Sequence, residues 1–322
     1  RKANYQTPHV LSWHWPHEYE NDSDEEEDNK SVVAQFNSDS FTRKLVRQVY
    51  DCRHTERLPG RFVMSTLGVP TLPGYRQKGS TRDNTVKKAL EHALNVFTFL
   101  LKQYQYNSID GKGMPIVSSV HFGVNYENAF WDGTQMVYGD GSDLFKAFVY
   151  FLDIVGHELG HGVTENRLEY EGQAGALNEH FSDVLGYLTY MYTKKLNVNQ
   201  ADWVLADGLL QYGRKGYPLR SFKAPGTAYN IPNLGKDPQP AKYSDLYTGD
   251  EDYGGVHINS GIPNHAFYLF AMELGGYAWE KAGLIWFTTM MTPGAFKPDA
   301  SMKDFAKATI KTADKLFPND TQ

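Results

Sequence analysis

The run Val149–Val163 constrains this chain more than any other stretch. It is apolar except for Asp153, His157, Glu158 and His161, and its pattern predicts a buried helix from about Leu144 to Thr164. Imidazole and carboxylate groups carried into such a helix need partners, because an unpaired polar group is costly to bury. Helix positions four apart lie one turn apart on the same face, so His157 and His161 can reach a single metal ion. Glu158 points in a neighbouring direction, close to that ion without binding it.

His157-Glu158-Leu159-Gly160-His161 thus has the His-Glu-x-x-His spacing of zinc peptidases. Such a site needs a third protein ligand and leaves a fourth position open. A following glycine and third histidine would stand at 164 and 167, but Thr164 and Arg167 occupy those positions. The ligand must then come from elsewhere. A second predicted helix, about Ala174–Tyr192, carries Glu179 and Asp183 four residues apart. Glu179 on the metal, with Asp183 holding the far nitrogen of a zinc histidine, would be a standard arrangement.

The rest of the chain is consistent with a two-part globular protein. Leu45–Asp51 and Ile116–Val124 read as strands. Asp83 is placed to cap a helix through about Tyr104, and Ala129–Trp131 and Gln135–Tyr138 flank a turn at Asp132-Gly133-Thr134. Residues 213–256 read as a long ordered loop region, followed by helices at about Ile262–Glu273, Ala278–Met291 and Met302–Phe317. The expected fold is α+β with two lobes: a strand-rich lobe over 41–164 that ends in the zinc helix, and a helical lobe over 165–322, with the metal in the cleft between them.

Residues 1–40 differ in composition. They hold the run Asp22–Asp28, with six acids and no base; outside it, 32 acidic residues face 32 basic ones, so the net charge of −6 belongs to that run. A balanced remainder excludes a nucleic-acid binder. No apolar run is long enough to cross a membrane. The one cysteine, Cys52, excludes an internal disulfide and a cysteine-based zinc site. The chain opens at Arg1 without a signal-peptide pattern, so either no leader exists or it has been removed.

Further blocks make the resemblance specific: Asn128–Gly133, Met136–Gly141, Val155–Thr164, Gly175–Asp183 and Gly254–Gly261, in that order. Together they resemble the thermolysin family of zinc metallopeptidases, and the shortened loop between His161 and Tyr170 resembles its protealysin-like branch. The resemblance implies an endopeptidase with one catalytic zinc on His157, His161 and Glu179, and Glu158 as general base. His257 and Tyr170 would stabilise the oxyanion, and Asp252 would orient His257. Asn128, Ala129 and Trp131 would take the peptide backbone along an edge strand, and Arg220 the carbonyl beyond the cut. Phe145, Phe148, Leu205, Leu209 and Leu219 would line an apolar pocket, favouring Leu or Phe just after the scissile bond.

The family's double calcium site keeps Asp153, Asp202 and Asp207 but has Tyr190 and Val204 at its other two acids, leaving one weaker calcium or none. The implied partners are peptide or protein substrates, with no nucleic acid, no membrane and a monomeric chain. The implied location is outside the cell, the alternative being intracellular or non-classically exported. Residues 1–40 would be an extension or a pro-segment remnant, with self-cleavage between Ser40 and Phe41. The alternative function is a catalytically weak, zinc-bearing binding module of the same fold. A zinc aminopeptidase is disfavoured, because no acidic cluster for a free amine is found.

Overall fold

The computed structural model describes residues 44–319, except 166 and 233. The proposed pro-segment and the Ser40–Phe41 cut lie outside the described residues. The first half builds one sheet from β1 (Val46–Asp51), β2 (Arg61–Leu67), β3 (Arg76–Lys78), β4 (Ile116–Val120), β5 (Ala129–Trp131) and β6 (Met136–Tyr138). Its order is β3-β2-β1-β4-β6-β5. β1, β4 and β6 are mutually parallel neighbours, whereas β2, β3 and β5 run antiparallel to their partners. β5 is therefore an edge strand.

Helix α1 (Asn84–Tyr104) packs on β1 and β4. It starts where expected, because the Asp83 side chain accepts the Thr85 N–H at 2.8 Å, as an N-cap should. Its buried stripe includes Val86, Leu90, Ala93, Phe97, Leu100 and Leu101.

Helix α2 (Leu152–Val163) is shorter than the sequence pattern predicts. Residues 144–151 are not part of it; only a single 3₁₀ turn forms, at Phe148–Tyr150. Tertiary contacts override the local helical pattern there. Lys146 N–H donates to Leu209 O at 3.0 Å, and Gln211 N–H donates to Leu144 O at 2.7 Å, so the segment pairs with a distant loop instead of with itself.

Helix α3 (Gly172–Lys194) is buried along most of its length. It packs against α2 and against α4 (Asp252–Asn259), α5 (Gly261–Leu274), α6 (Lys281–Met291) and α7 (Met302–Leu316). α2 itself also touches β5 and α1, so the His-Glu-x-x-His helix stands where the sheet half meets the helical half. Among the described residues, the loop region between α3 and α4 holds short two- and three-residue strands, among them β7 (Val204–Leu205), β8 (Leu210–Tyr212), β9 (Lys215–Tyr217) and β10 (Arg220–Ser221), and one 3₁₀ turn at Tyr243–Asp245.

The approach of α2 and α3 decides where the candidate metal-ligand residues meet. A Cβ on Gly156 would fall 2.7 Å from Gly186 Cα, and one on Gly186 would fall 2.8 Å from His157 N and closer still to Asp153 O. Only glycine permits this spacing. Gly186→Ala is expected to force the helices apart and cost about 3 kcal/mol, the upper end for overpacking, because rigid backbone cannot yield. Urea unfolding should show that loss together with reduced zinc content; wild-type stability would refute it.

Candidate active site

Helix periodicity presents His157 and His161 on one face of α2, and the packing of α3 brings Glu179 against them. His157 Nε2 and His161 Nε2 lie 3.1 Å apart. Glu179 Oε2 is 3.5 Å from His157 Nε2, and Oε1 is 3.4 Å from His161 Nε2. The opposite nitrogens face acceptors: His157 Nδ1 lies 2.8 Å from Asp183 Oδ1, and His161 Nδ1 lies 2.8 Å from Asn178 Oδ1. With Nδ1 facing an acceptor on each ring, a neutral imidazole donates its Nδ1–H outward and leaves its Nε2 lone pair facing inward.

Two lone pairs and a carboxylate that face each other at this range repel unless a cation lies among them. Glu179 Oε2 and Glu158 Oε2 are also buried without a hydrogen-bond partner. The N, N, O donor set suits zinc, so the residues present fit the metal implied by the sequence. His157, Glu158 and His161 also form one of two groups, among the described residues, whose ligand atoms lie within 4.8 Å of one another.

The electrostatics follow from burial and these neighbours. Burial, then the Glu179 charge, pushes Glu158 well above the usual carboxylate range. Burial would raise Glu179 too, but His257, His161, His157 and Arg220 outweigh it and hold the group below its usual range. Burial lowers His161 to about 4, which keeps the ring neutral and able to ligate. Asp183 is also held low, because Arg220 and His157 overcome its burial.

His257 and Tyr170 close the other side. The first four residues of α4, Asp252–Gly255, all have positive φ, with Gly254 at 76° and Gly255 at 78°. Two consecutive glycines meet that demand at little steric cost. The left-handed turn folds Asp252 back onto His257: Oδ1 lies 2.6 Å from His257 Nδ1, and Oδ2 accepts the His257 N–H at 2.8 Å. His257 Nε2 then lies 3.4 Å from Glu179 Oε1 and 3.3 Å from the Tyr170 hydroxyl, which donates to Glu179.

The structure brings together His157, His161, Glu179, Glu158, Asp183, Tyr170, His257 and Asp252. It adds partners not assigned from sequence. Asn178 and Ser182 hold His161. Asn264 Nδ2–H donates to Asp183 Oδ2 at 2.8 Å, and Asn264 Oδ1 lies 2.7 Å from His180 Nδ1; His180 Nε2 in turn accepts the Trp286 indole N–H. Arg220 was expected at the substrate carbonyl. It is nearly buried, with Nη1 donating to Asp183 Oδ1 at 2.5 Å and Nη2 3.6 Å from Glu179, so it also neutralises two buried carboxylates.

The peptide-binding candidates are placed less simply. Asn128 Oδ1 accepts the Ala129 N–H at 2.9 Å, so these two groups satisfy each other. Trp131 is buried on the edge strand. Phe145, Phe148, Leu205, Leu209 and Leu219 share the main hydrophobic core, with the two phenylalanine rings stacked at 5.8 Å. A cavity of about 620 Å³ opens beside Asp207, Tyr217, Pro218 and Tyr229, but none of the five apolar residues lines it.

The calcium candidates do not form a tight carboxylate group among the described residues. Asp153 accepts N–H groups from Ile154 at 3.0 Å and Ala206 at 2.6 Å, and Asp202 accepts the Tyr187 hydroxyl at 2.7 Å. Burial lifts Asp153 to about 6 against the pull of those N–H donors.

Comparison with known proteins finds similar families, relatives and solved structures. Residues 27–165 match the thermolysin metallopeptidase catalytic domain, and residues 166–322 match the thermolysin metallopeptidase alpha-helical domain. The chain is 43% identical over 274 residues to an extracellular metalloprotease of Pectobacterium carotovorum subsp. carotovorum, covering 84% of this chain and 76% of that protein. It is 42% identical over 283 residues to Protease PrtS of Photorhabdus sp. (strain Az29), covering 86% and 73%. Among solved structures, the precursor of protealysin, a metalloproteinase from Serratia proteamaculans, superposes with a TM-score of 0.79 at 45% identity, covering 85% of this chain and 83% of that one.

Proposed function

The chain belongs to the thermolysin family of metallopeptidases, and from that premise we propose that it cuts internal peptide bonds with Glu158 as general base and with His257 and Tyr170 as oxyanion donors. The observation that carries this reading is the inward pair of imidazole Nε2 atoms at 3.1 Å beside Glu179, with both Nδ1 atoms already committed. Zinc held by His157, His161 and Glu179 would acidify a water molecule and polarise the scissile carbonyl.

The chain's own groups do the rest. Glu158 takes the proton of the attacking water and passes it to the leaving amine; its buried setting raises its proton affinity, which favours proton acceptance. Charge that grows on the carbonyl oxygen needs donors fixed in advance. The Tyr170 hydroxyl and the His257 imidazole would supply them, and Asp252 holds His257 in place. The free edge of β5 offers backbone groups to an extended substrate as an added strand. The apolar set Phe145, Phe148, Leu205, Leu209 and Leu219 favours Leu or Phe after the cut, by about 1–3 kcal/mol over small or charged side chains.

Casein and a peptide library test the reading. Cleavage should occur before Leu and Phe, stop with 1,10-phenanthroline and return with added zinc. A preference for Lys, Arg or Asp after the cut would defeat the pocket assignment. A fully zinc-loaded protein that cuts nothing would favour the binding-module alternative.

Secretion is supported by the relative named as extracellular; among the described residues no helix is long and apolar enough to cross a membrane. For calcium we propose one weak ion or none, because Asp153 and Asp202 already serve protein donors. Adding millimolar calcium to desalted enzyme should then leave Tm nearly unchanged in a thermal melt. A large upward shift would restore the family's calcium set.

A further inference from the structure

A second cluster of histidine and carboxylate side chains lies at the sheet. β1, β4 and β6 are adjacent and parallel, so their carboxyl ends leave the sheet side by side. The residues just past those ends are His54 after β1, His121 after β4 and Asp140 after β6. The His54 N–H donates to His121 O at 2.8 Å, which locks the two loops together and sets both imidazoles next to each other, with ring centroids 5.5 Å apart. His121 Nδ1 lies 2.8 Å from Asp140 Oδ2, and His54 Nδ1 lies 3.5 Å from that same oxygen. His54, His121 and Asp140 are the other group whose ligand atoms all lie within 4.8 Å of one another.

We propose that His54, His121 and Asp140 form a second metal site, for a transition-metal dication such as zinc, separate from the catalytic centre. Two imidazoles and one carboxylate are a donor set for zinc, nickel or copper and a poor one for calcium or magnesium, which prefer oxygen. The surroundings supply what such a site needs beyond its ligands. His121 Nε2 lies 2.8 Å from Asp83 Oδ2. A carboxylate that accepts the far N–H of a ligating histidine fixes its tautomer and orientation and strengthens its bond to the metal. Asp183 stands in the same relation to His157. Asp83 is the cap of α1, so an ion at this site ties the ends of three strands to the start of the helix that packs on them.

One simpler arrangement uses the same atoms. A charged His121 could bridge Asp140 and Asp83 without any metal. That bridge has no use for His54, whose side chain is 59% exposed and touches Asp140 only at 3.5 Å. A metal needs His54; a bridge does not. His54→Ala therefore separates the two, and the exposed side chain can be removed without opening the core.

The experiment uses the full chain with catalytic zinc in place. Equilibrium dialysis against low micromolar zinc, followed by metal analysis, should give wild type one more zinc per chain than His54→Ala. Added zinc should raise Tm in wild type and not in that variant, while the two melt alike without it. Asp83→Asn should keep the extra ion at roughly 10–100-fold weaker affinity. Equal zinc content and equal Tm response in wild type and His54→Ala would overturn the proposal and leave the His121 bridge alone.

Discussion

Glu158→Gln is expected to keep its fold and its zinc and to lose kcat by about 10⁴-fold, the upper end for a general acid–base group, because the same carboxylate handles the proton in both directions. The substitution is nearly isosteric and lies outside the His157, His161 and Glu179 set. The amide cannot accept a proton. Burial and the nearby Glu179 hold Glu158 well above the usual carboxylate range, so a neutral amide resembles the uncharged form that this setting favours and should not destabilise the site. The expected result is therefore wild-type or higher Tm, unchanged zinc content and almost no hydrolysis. Peptide cleavage near the wild-type rate would remove Glu158 from the mechanism; loss of zinc would show that it supports the ligands instead.

The legible parts of this protein are those fixed by local geometry. His157 and His161, then Glu179 and Asp183, could be paired from sequence because helical spacing dictates which residues share a face, and both helices exist. The same holds for α1 with its Asp83 cap and for the β5–β6 hairpin. What was not legible depends on distant contacts. β2 and β3 are not legible because they are short or half-exposed, with no clean alternation of burial. Residues 144–151 carry a helical pattern that pairing with residues 209–211 overrides. The predicted strand 116–124 stops at Val120, where His121 turns to a φ of 54°. Asn264 lies 81 residues from the Asp183 it supports, and nothing in its local sequence signals that role. From sequence Arg220 has a role toward substrate alone, since two buried acids converging on it cannot be read before α2 and α3 are packed.

His257→Ala is expected to cut kcat by about 10²–10³-fold, or ~3–4 kcal/mol, with little change in KM. The reason lies in when the interaction forms. His257 Nε2 faces Tyr170 and Glu179 across the site, 3.3 and 3.4 Å away, and in the proposed mechanism it would meet substrate only where charge develops on the carbonyl oxygen. A donor used mainly in the transition state lowers the barrier without tightening ground-state binding. Tyr170 remains in the variant, which is why the loss should fall short of that for Glu158→Gln. Asp252→Asn supplies the matching control. It keeps the side-chain volume but weakens the bond to His257 Nδ1, now 2.6 Å, so it should lower kcat by a smaller factor in the same direction. If His257→Ala instead raised KM and left kcat alone, His257 would be a substrate-binding residue and Tyr170 the principal oxyanion donor. If Asp252→Asn cost more than His257→Ala, Asp252 would be acting on the left-handed turn of α4 and not through the imidazole.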